Sequence, residues 1–234
     1  MSYEGKQVVV TGGTGALGRA VVGKLLAAGS VCHIPNYDAA EVDNFPFKDD
    51  GALRIVSGID LSDETSVEAF YGGLPSLWAS IHIAGGFAMA PLGETSRDDF
   101  MKMQTMNVLT CFLCCREAAK IMRRDGGSGG RIVNIAARPG LEPRSGAGMA
   151  AYTASKAGVA ALTETLGEEL AADGIWVNAV APSIIDTPAN RSAMPDADYD
   201  LWPKPEELAE TIVFLASPDN TSTRSAVVPV YGRS

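Results

Sequence analysis

The sequence predicts an α/β fold: one doubly wound parallel sheet of about seven strands with helices on both faces. Three observations predict it. Short apolar runs alternate with amphipathic stretches from the first residues onward. A glycine-rich turn joins the first apolar run to the first helical pattern. No repeat, low-complexity tract or dividing linker interrupts the 234 residues, so a single domain over 1–234 is expected.

The elements follow in order. Residues 7–11, mostly valine, read as the first strand, and 17–28 as the first helix, closed by Gly29. Strands are expected at 30–34, 53–58 and 80–84, the last opening onto Gly85 and Gly86. A long helix is expected at 98–124, stopped by the loop 126–130, followed by a strand at 131–136. A helix at 150–172 stops near Gly174, and 176–181 reads as a strand. Pro205 suits the first turn of a helix at 205–216, and 227–231 is the last strand. Apolar strands of this kind, separated by helical patterns, are buried on both faces.

Composition bounds the function. A chain that is 46% hydrophobic can bury one sizeable core. A net charge of -9 and a pI near 4.7 exclude a nucleic-acid partner and docking to an anionic membrane, since both need a basic surface. The opening MSYEGKQVVVTGG lacks the apolar core of a signal peptide, and no run of 18 apolar residues occurs, so a cytoplasmic protein is expected. Cys111, Cys114 and Cys115 share one expected helix, Cys32 lies elsewhere, and His33 and His82 are far off in sequence. That spacing makes a poor zinc site, and no metal is expected; the cysteines read as small buried hydrophobes in a reducing compartment.

The turn Thr11-Gly12-Gly13-Thr14-Gly15-Ala16-Leu17-Gly18 carries the first chemistry. Gly13, Gly15 and Gly18 fit the G-x-G-x-x-G spacing, which permits a tight turn, close approach of backbone to a pyrophosphate, and close packing of helix on strand. The helix N-terminus adds free N–H groups and a partial positive charge. A strand–turn–helix of this kind near the N-terminus points to a dinucleotide-binding, Rossmann-type domain. Asp38 has the separation of the acidic residue that holds the adenine ribose of NAD, though it falls past the expected strand. Between that strand and Lys48 no cation is present to meet the 2′-phosphate of NADP, so the reading is NAD or NADP with a lean to NAD.

Tyr152 and Lys156 stand at i and i+4, on one face of a helix. An ammonium beside a phenol is expected to lower its pKa from about 10, and such a tyrosine can hand a proton to a substrate as hydride arrives from a nicotinamide.

With these residues in view, the chain resembles the short-chain dehydrogenase/reductase family over nearly its whole length. The resemblance implies an NAD(P)-dependent oxidoreductase with Tyr152, Lys156 and Asn107 as its catalytic residues, the asparagine supporting the proton relay. It implies cofactor contacts at Gly12, Gly13, Gly15, Ala16, Leu17 and Gly18, with Ala16 where the family's middle glycine is usual. Asp60 and Leu61 match the family's adenine-contacting dipeptide. Ala84, Gly85 and Gly86 follow the fourth strand, where His82 and Ile83 replace two asparagines. Pro182, Ile184 and Thr187 match the loop that holds the nicotinamide amide, with Ser183 replacing a glycine.

One departure stands out. The family's substrate-orienting serine is Ala137 here, at the end of Asn134-Ile135-Ala136-Ala137. Ser145, in a loop about two residues longer than usual, is a candidate replacement. The same loss marks the dihydropteridine reductase branch. Several stretches are similar to that branch: Gly13 to Gly18, Ala84 to Phe87, Gly148-Met149, and above all 186–191 with Met194, Pro195, Asp198 and Trp202. The resemblance implies a substrate lid at about 183–204 and a quinonoid dihydropteridine as possible substrate, whose incoming charge spreads over ring nitrogens. The alternatives are a carbonyl or alcohol oxidoreductase without the usual serine, and a silent dinucleotide-binding protein. Ala137, Met149, Phe87 and Trp202, with Met89 and Met194, are candidate substrate contacts, and Arg138 and Arg144 precede Tyr152. Family members pair through the helices expected at 98–124 and 150–172. Ala150, Ala151, Ala154, Ala157, Ala160 and Ala161 keep the second helix slim, so a homodimer or homotetramer is expected.

Overall fold

The computed structural model describes residues 1–124 and 129–234. Part of the loop expected at 126–130 therefore lies outside the described residues. Among the described residues, seven strands form one sheet: β1 (Gln7–Thr11), β2 (Val31–Asn36), β3 (Leu53–Ser57), β4 (Ala79–His82), β5 (Gly130–Ile135), β6 (Ile175–Pro182) and β7 (Val227–Val230). Their order is β3-β2-β1-β4-β5-β6-β7, and every pairing is parallel. The expected doubly wound sheet is thus observed; its strand order changes direction beside β1, and ligands of such sheets bind outside the carboxyl ends of the strands at that point.

The strands are apolar on both faces because both are covered. In β1, Val8 and Val10 join the core under α1 (Ala16–Ala27) and α9 (Pro205–Leu215), while Val9 joins the core on the opposite face. That second core packs α3 (Glu64–Gly72), α5 (Thr110–Arg123) and α7 (Ala150–Glu169) on the sheet. Each fully buried Val, Ile or Leu contributes about 1.5–3 kcal/mol. All four cysteines are buried within these cores. Among the described residues, no helix is long and apolar enough to cross a membrane.

Three elements differ from the sequence pattern. β2 runs on to Asn36 through Pro35, because β1 pairs only with residues 31–33 and leaves the proline a single ladder, with β3. The helix expected at 98–124 begins with α4 (Arg97–Met103), opens into a π-helical turn at Gln104–Leu109, and continues as α5. Short helices α2 (Ala40–Asp43), α6 (Arg138–Leu141) and α8 (Pro188–Ala193) occupy stretches that carry no clear periodicity.

Candidate active site

The glycine-rich turn leaves β1 at Thr11 and enters α1. Gly12 is left-handed, with φ +65, and a Cβ there would sit 2.8 Å from the backbone nitrogen of Ala84. A Cβ on Gly18 would lie 2.1 Å from the carbonyl oxygen of Gly12. Side chains at either position would force the turn open. Gly15 caps α1 with no side chain to accept its first N–H groups, which leaves them facing the space beyond β1. An anionic pyrophosphate fits such a cradle.

That space is a cleft of about 520 Å³. Gly12, Gly15, Ala16, Leu17 and Gly18 form one wall, Asp60 and Leu61 a second, and Ala84 and Gly85 a third. Gly13 instead packs on Ile34, where its Cβ would come within 2.8 Å of the side chain. Gly86 exchanges two hydrogen bonds with Asn107: its N–H donates to Oδ1 and its carbonyl accepts from Nδ2, both at 3.0 Å. Pro182 ends β6, and the Thr187 hydroxyl accepts from the N–H of Asn190 at the start of α8. With the exposed Ile184 they stand at the root of the expected lid, outside the walls of the cleft.

The expected catalytic residues converge. The π turn swings Asn107 inward, where Nδ2 also donates to Ser155 Oγ over 2.9 Å, tying the loop after β4 to α7. Lys156, one helical turn beyond Tyr152, is buried and donates from Nζ to the carbonyl oxygen of Ile135 at 2.8 Å. The Cβ site of Gly85 is 3.5 Å from that nitrogen and 2.6 Å from Asn107 Oδ1, so the backbone there must be glycine. Burial brings the Lys156 ammonium down to about 8, since a charged amine loses its hydration there.

The expectation for Tyr152 is corrected. Its pKa is pushed up to about 12 by burial rather than lowered by the lysine. The cost of desolvating a phenolate dominates while Nζ is turned to Ile135.

The candidate substrate residues separate. Phe87 is 62% exposed and meets Tyr152 edge-on, with ring centroids 4.9 Å apart. Ala137 is buried at the end of β5, and Met149 is half-buried just before α7. Trp202 is 7% exposed and packs against Tyr199 within the segment expected to form the lid. Ser145 donates to Glu142 O in an exposed turn. Arg138 pairs with Glu142 and stacks on Tyr231, and Asp38 caps the N–H of Ala40.

Sequence spacing missed one cluster. His82, Cys111 and Cys115 bring ligand atoms within 4.8 Å of one another. The parallel sheet brings His82 beside Asn134 across β4 and β5. Thr163 donates to Val159 O, so Asn134 must donate to Thr163 and accept, through Oδ1, from His82 Nδ1 at 2.8 Å. Nε2 lies within hydrogen-bond distance of Ser80 Oγ, at 2.8 Å. The histidine is spent in a buried hydrogen-bond network that joins β4 to β5 in place of the missing asparagine.

Residues 6–198 match the family described as short chain dehydrogenase, and the chain belongs to that family. It is an NAD(P)-dependent oxidoreductase of the short-chain type. A curated relative, 2-dehydro-3-deoxy-L-rhamnonate dehydrogenase (NAD(+)) from Sphingomonas sp. (strain SKA58), is 32% identical, covering 98% of this chain and 95% of its own length. Sorbitol dehydrogenase from Cereibacter sphaeroides is 30% identical over 80% of this chain and 73% of its own. Among solved structures, ElxO with NADP bound superposes with a TM-score of 0.87 at 27% identity, covering 97% of this chain and 98% of that one. NAD(+) stands in the name of the first of these relatives and NADP is bound in the ElxO structure.

Proposed function

We propose that this chain interconverts a small hydroxy compound and its keto form, with NAD preferred over NADP, Tyr152 moving the proton. The observation that carries this reading is the meeting of Lys156 Nζ, Asn107 and the Gly85 backbone at the carboxyl ends of β4 and β5, one helical turn from Tyr152. The nicotinamide nucleotide, when bound, supplies or accepts the hydride. Gly12, Gly15 and Gly18 with the open N-terminus of α1 would hold its pyrophosphate, Asp60 and Leu61 its adenine side, and Ala84 to Gly86 its middle. Pro182, Ile184 and Thr187 would close over the nicotinamide end.

The chain's own residues do the rest. At a pKa of about 12, Tyr152 keeps its proton through neutral pH and donates it to a developing alkoxide. Lys156, one helical turn from that phenol, and Asn107 support the return of its proton. Phe87 covers the phenol from the solvent side. Support for the hydroxy/keto class comes from the names of the relatives, one acting on a deoxy sugar acid and one on sorbitol.

A second reading, a quinonoid dihydropteridine, is favoured by one observation: Ala137 brings no hydroxyl to the substrate side of Tyr152, and Phe87 offers a flat apolar face there. We also propose a homodimer or homotetramer paired through α4–α5 and α7, supported by exposed Phe100, Met101, Leu109 and Phe112 beside the slim alanine face of α7.

The test is turnover with NADH and NADPH, separately, on a panel of keto sugar acids, keto sugars and quinonoid dihydropterin generated in place. Tyr152→Phe should lower turnover by about 10²–10⁴ while leaving nucleotide binding intact. Turnover confined to the pterin would replace the first reading with the second. Nucleotide binding with no hydride transfer to any of them would sink both.

A further inference from the structure

We infer that Glu41, on the short helix after β2, is the residue that reads the adenosine ribose and selects against a 2′-phosphate. The inference rests on the dinucleotide reading of the cleft. The place usually given to the ribose-binding carboxylate, the end of β2, is held here by Asn36, a buried neutral amide already engaged. Its Nδ2 donates to Asp38 O at 2.5 Å, and its Oδ1 faces Thr14 Oγ1 at 3.2 Å. Asp38 is turned away, its Oδ1 accepting from Ala40 N at 2.9 Å.

Two carboxylates line the cleft instead. Asp60, on the wall shared with Leu61, accepts through Oδ1 from both the N–H and the hydroxyl of Ser62. Glu41 reaches across to the glycine-rich turn, where Oε2 accepts from Thr14 Oγ1 at 2.7 Å. That bond fixes one oxygen over the turn and leaves the other with no partner among the described residues, free to accept from ribose hydroxyls. No Lys or Arg among the described residues lines the cleft. Arg19 borders the adjoining recess, which Glu41 also lines, and its Nε donates to Thr14 O at 2.8 Å. A 2′-phosphate entering beside Glu41 would set a dianion against a carboxylate, whereas a 2′-hydroxyl would gain an acceptor.

The experiment measures dissociation constants for NADH and NADPH by nucleotide fluorescence for the intact protein, Glu41→Gln and Asp38→Asn. Glu41 is exposed and distant from both cores, and circular dichroism checks the fold of each variant. The intact protein should favour NADH by about tenfold or more. Glu41→Gln should shift the ratio of the two constants toward NADPH by about tenfold, and Asp38→Asn should leave it unchanged. A rise in salt should shrink the preference of the intact protein and leave that of Glu41→Gln flat. An unchanged ratio in Glu41→Gln, or an intact protein favouring NADPH, overturns the assignment of Glu41 and spares the cleft. Failure to bind either nucleotide overturns the dinucleotide reading, and the assignment with it.

Discussion

Lys156 Nζ donates to the carbonyl oxygen of Ile135 over 2.8 Å, so the end of β5, rather than the phenol of Tyr152, holds the lysine in place. The amine is buried against Gly85 on one side and the strand end on the other. Its charge is stabilised by one carbonyl and penalised by the loss of water.

A stability dependence on pH follows. Burial lowers the Lys156 pKa from 10.5 to about 8. Below about 8 both folded and unfolded chains carry the proton, and the full cost of burial stands. Between about 8 and 10.5 the unfolded chain keeps a proton that the folded chain has released, so this residue's contribution to stability rises with pH across that window. Relative to Lys156→Met, the intact protein should gain on the order of 2 kcal/mol between pH 8 and pH 10 in urea unfolding. Parallel pH curves for the two proteins would show that the lysine is not desolvated as described.

Asn107 makes three hydrogen bonds at the π turn, two with Gly86 and one to Ser155. Asn107→Ala orphans these groups at about 1–3 kcal/mol for each that water does not reach. Stability should fall by roughly 3 kcal/mol, and turnover should fall further than nucleotide affinity. A variant as stable as the parent, with the same turnover, would mean that water replaces the side chain.

Gly18→Ala tests the cradle. The added methyl would sit 2.1 Å from Gly12 O and 2.6 Å from Gly13 Cα, both backbone atoms of the turn. The turn and α1 must separate. Nucleotide affinity should drop at least tenfold, measured by fluorescence titration, with stability lowered by about 2–4 kcal/mol. Retained affinity would place the pyrophosphate elsewhere.

Exposed Phe112 on α5 tests the pairing surface proposed above. Phe112→Glu sets a charge into an apolar contact and should yield a monomer by light scattering, against a dimer or tetramer for the parent. An identical mass for both proteins would remove this face from the assembly.

Much of the fold was legible in the sequence. Valine-rich runs, the turn Gly12 to Gly18 and the helical pattern after it define a strand–turn–helix by local rules, and repetition of that unit requires a parallel sheet. Tyr152 and Lys156 were legible for the same reason, because four residues on a helix is one turn. Other features were not. The long helix carries no sequence mark of its π turn, since the widening answers to Gly86 and Ser155, which lie 21 and 48 residues from Asn107. The helix bearing Glu41 has no periodicity over four residues, so spacing from the glycine turn pointed to Asp38.

The sequence by itself determined the class of the fold, the family and the candidate residues for the site, because each depends on local pattern or short spacing. Only the tertiary structure decided which groups surround them. Burial, not the neighbouring ammonium, governs the Tyr152 phenol; His82 is locked to Asn134 although 52 residues separate them; and Glu41 rather than Asp38 faces the cleft. The physical reason is the same in each case: desolvation and hydrogen-bond partners are set by elements that meet only when the sheet has closed.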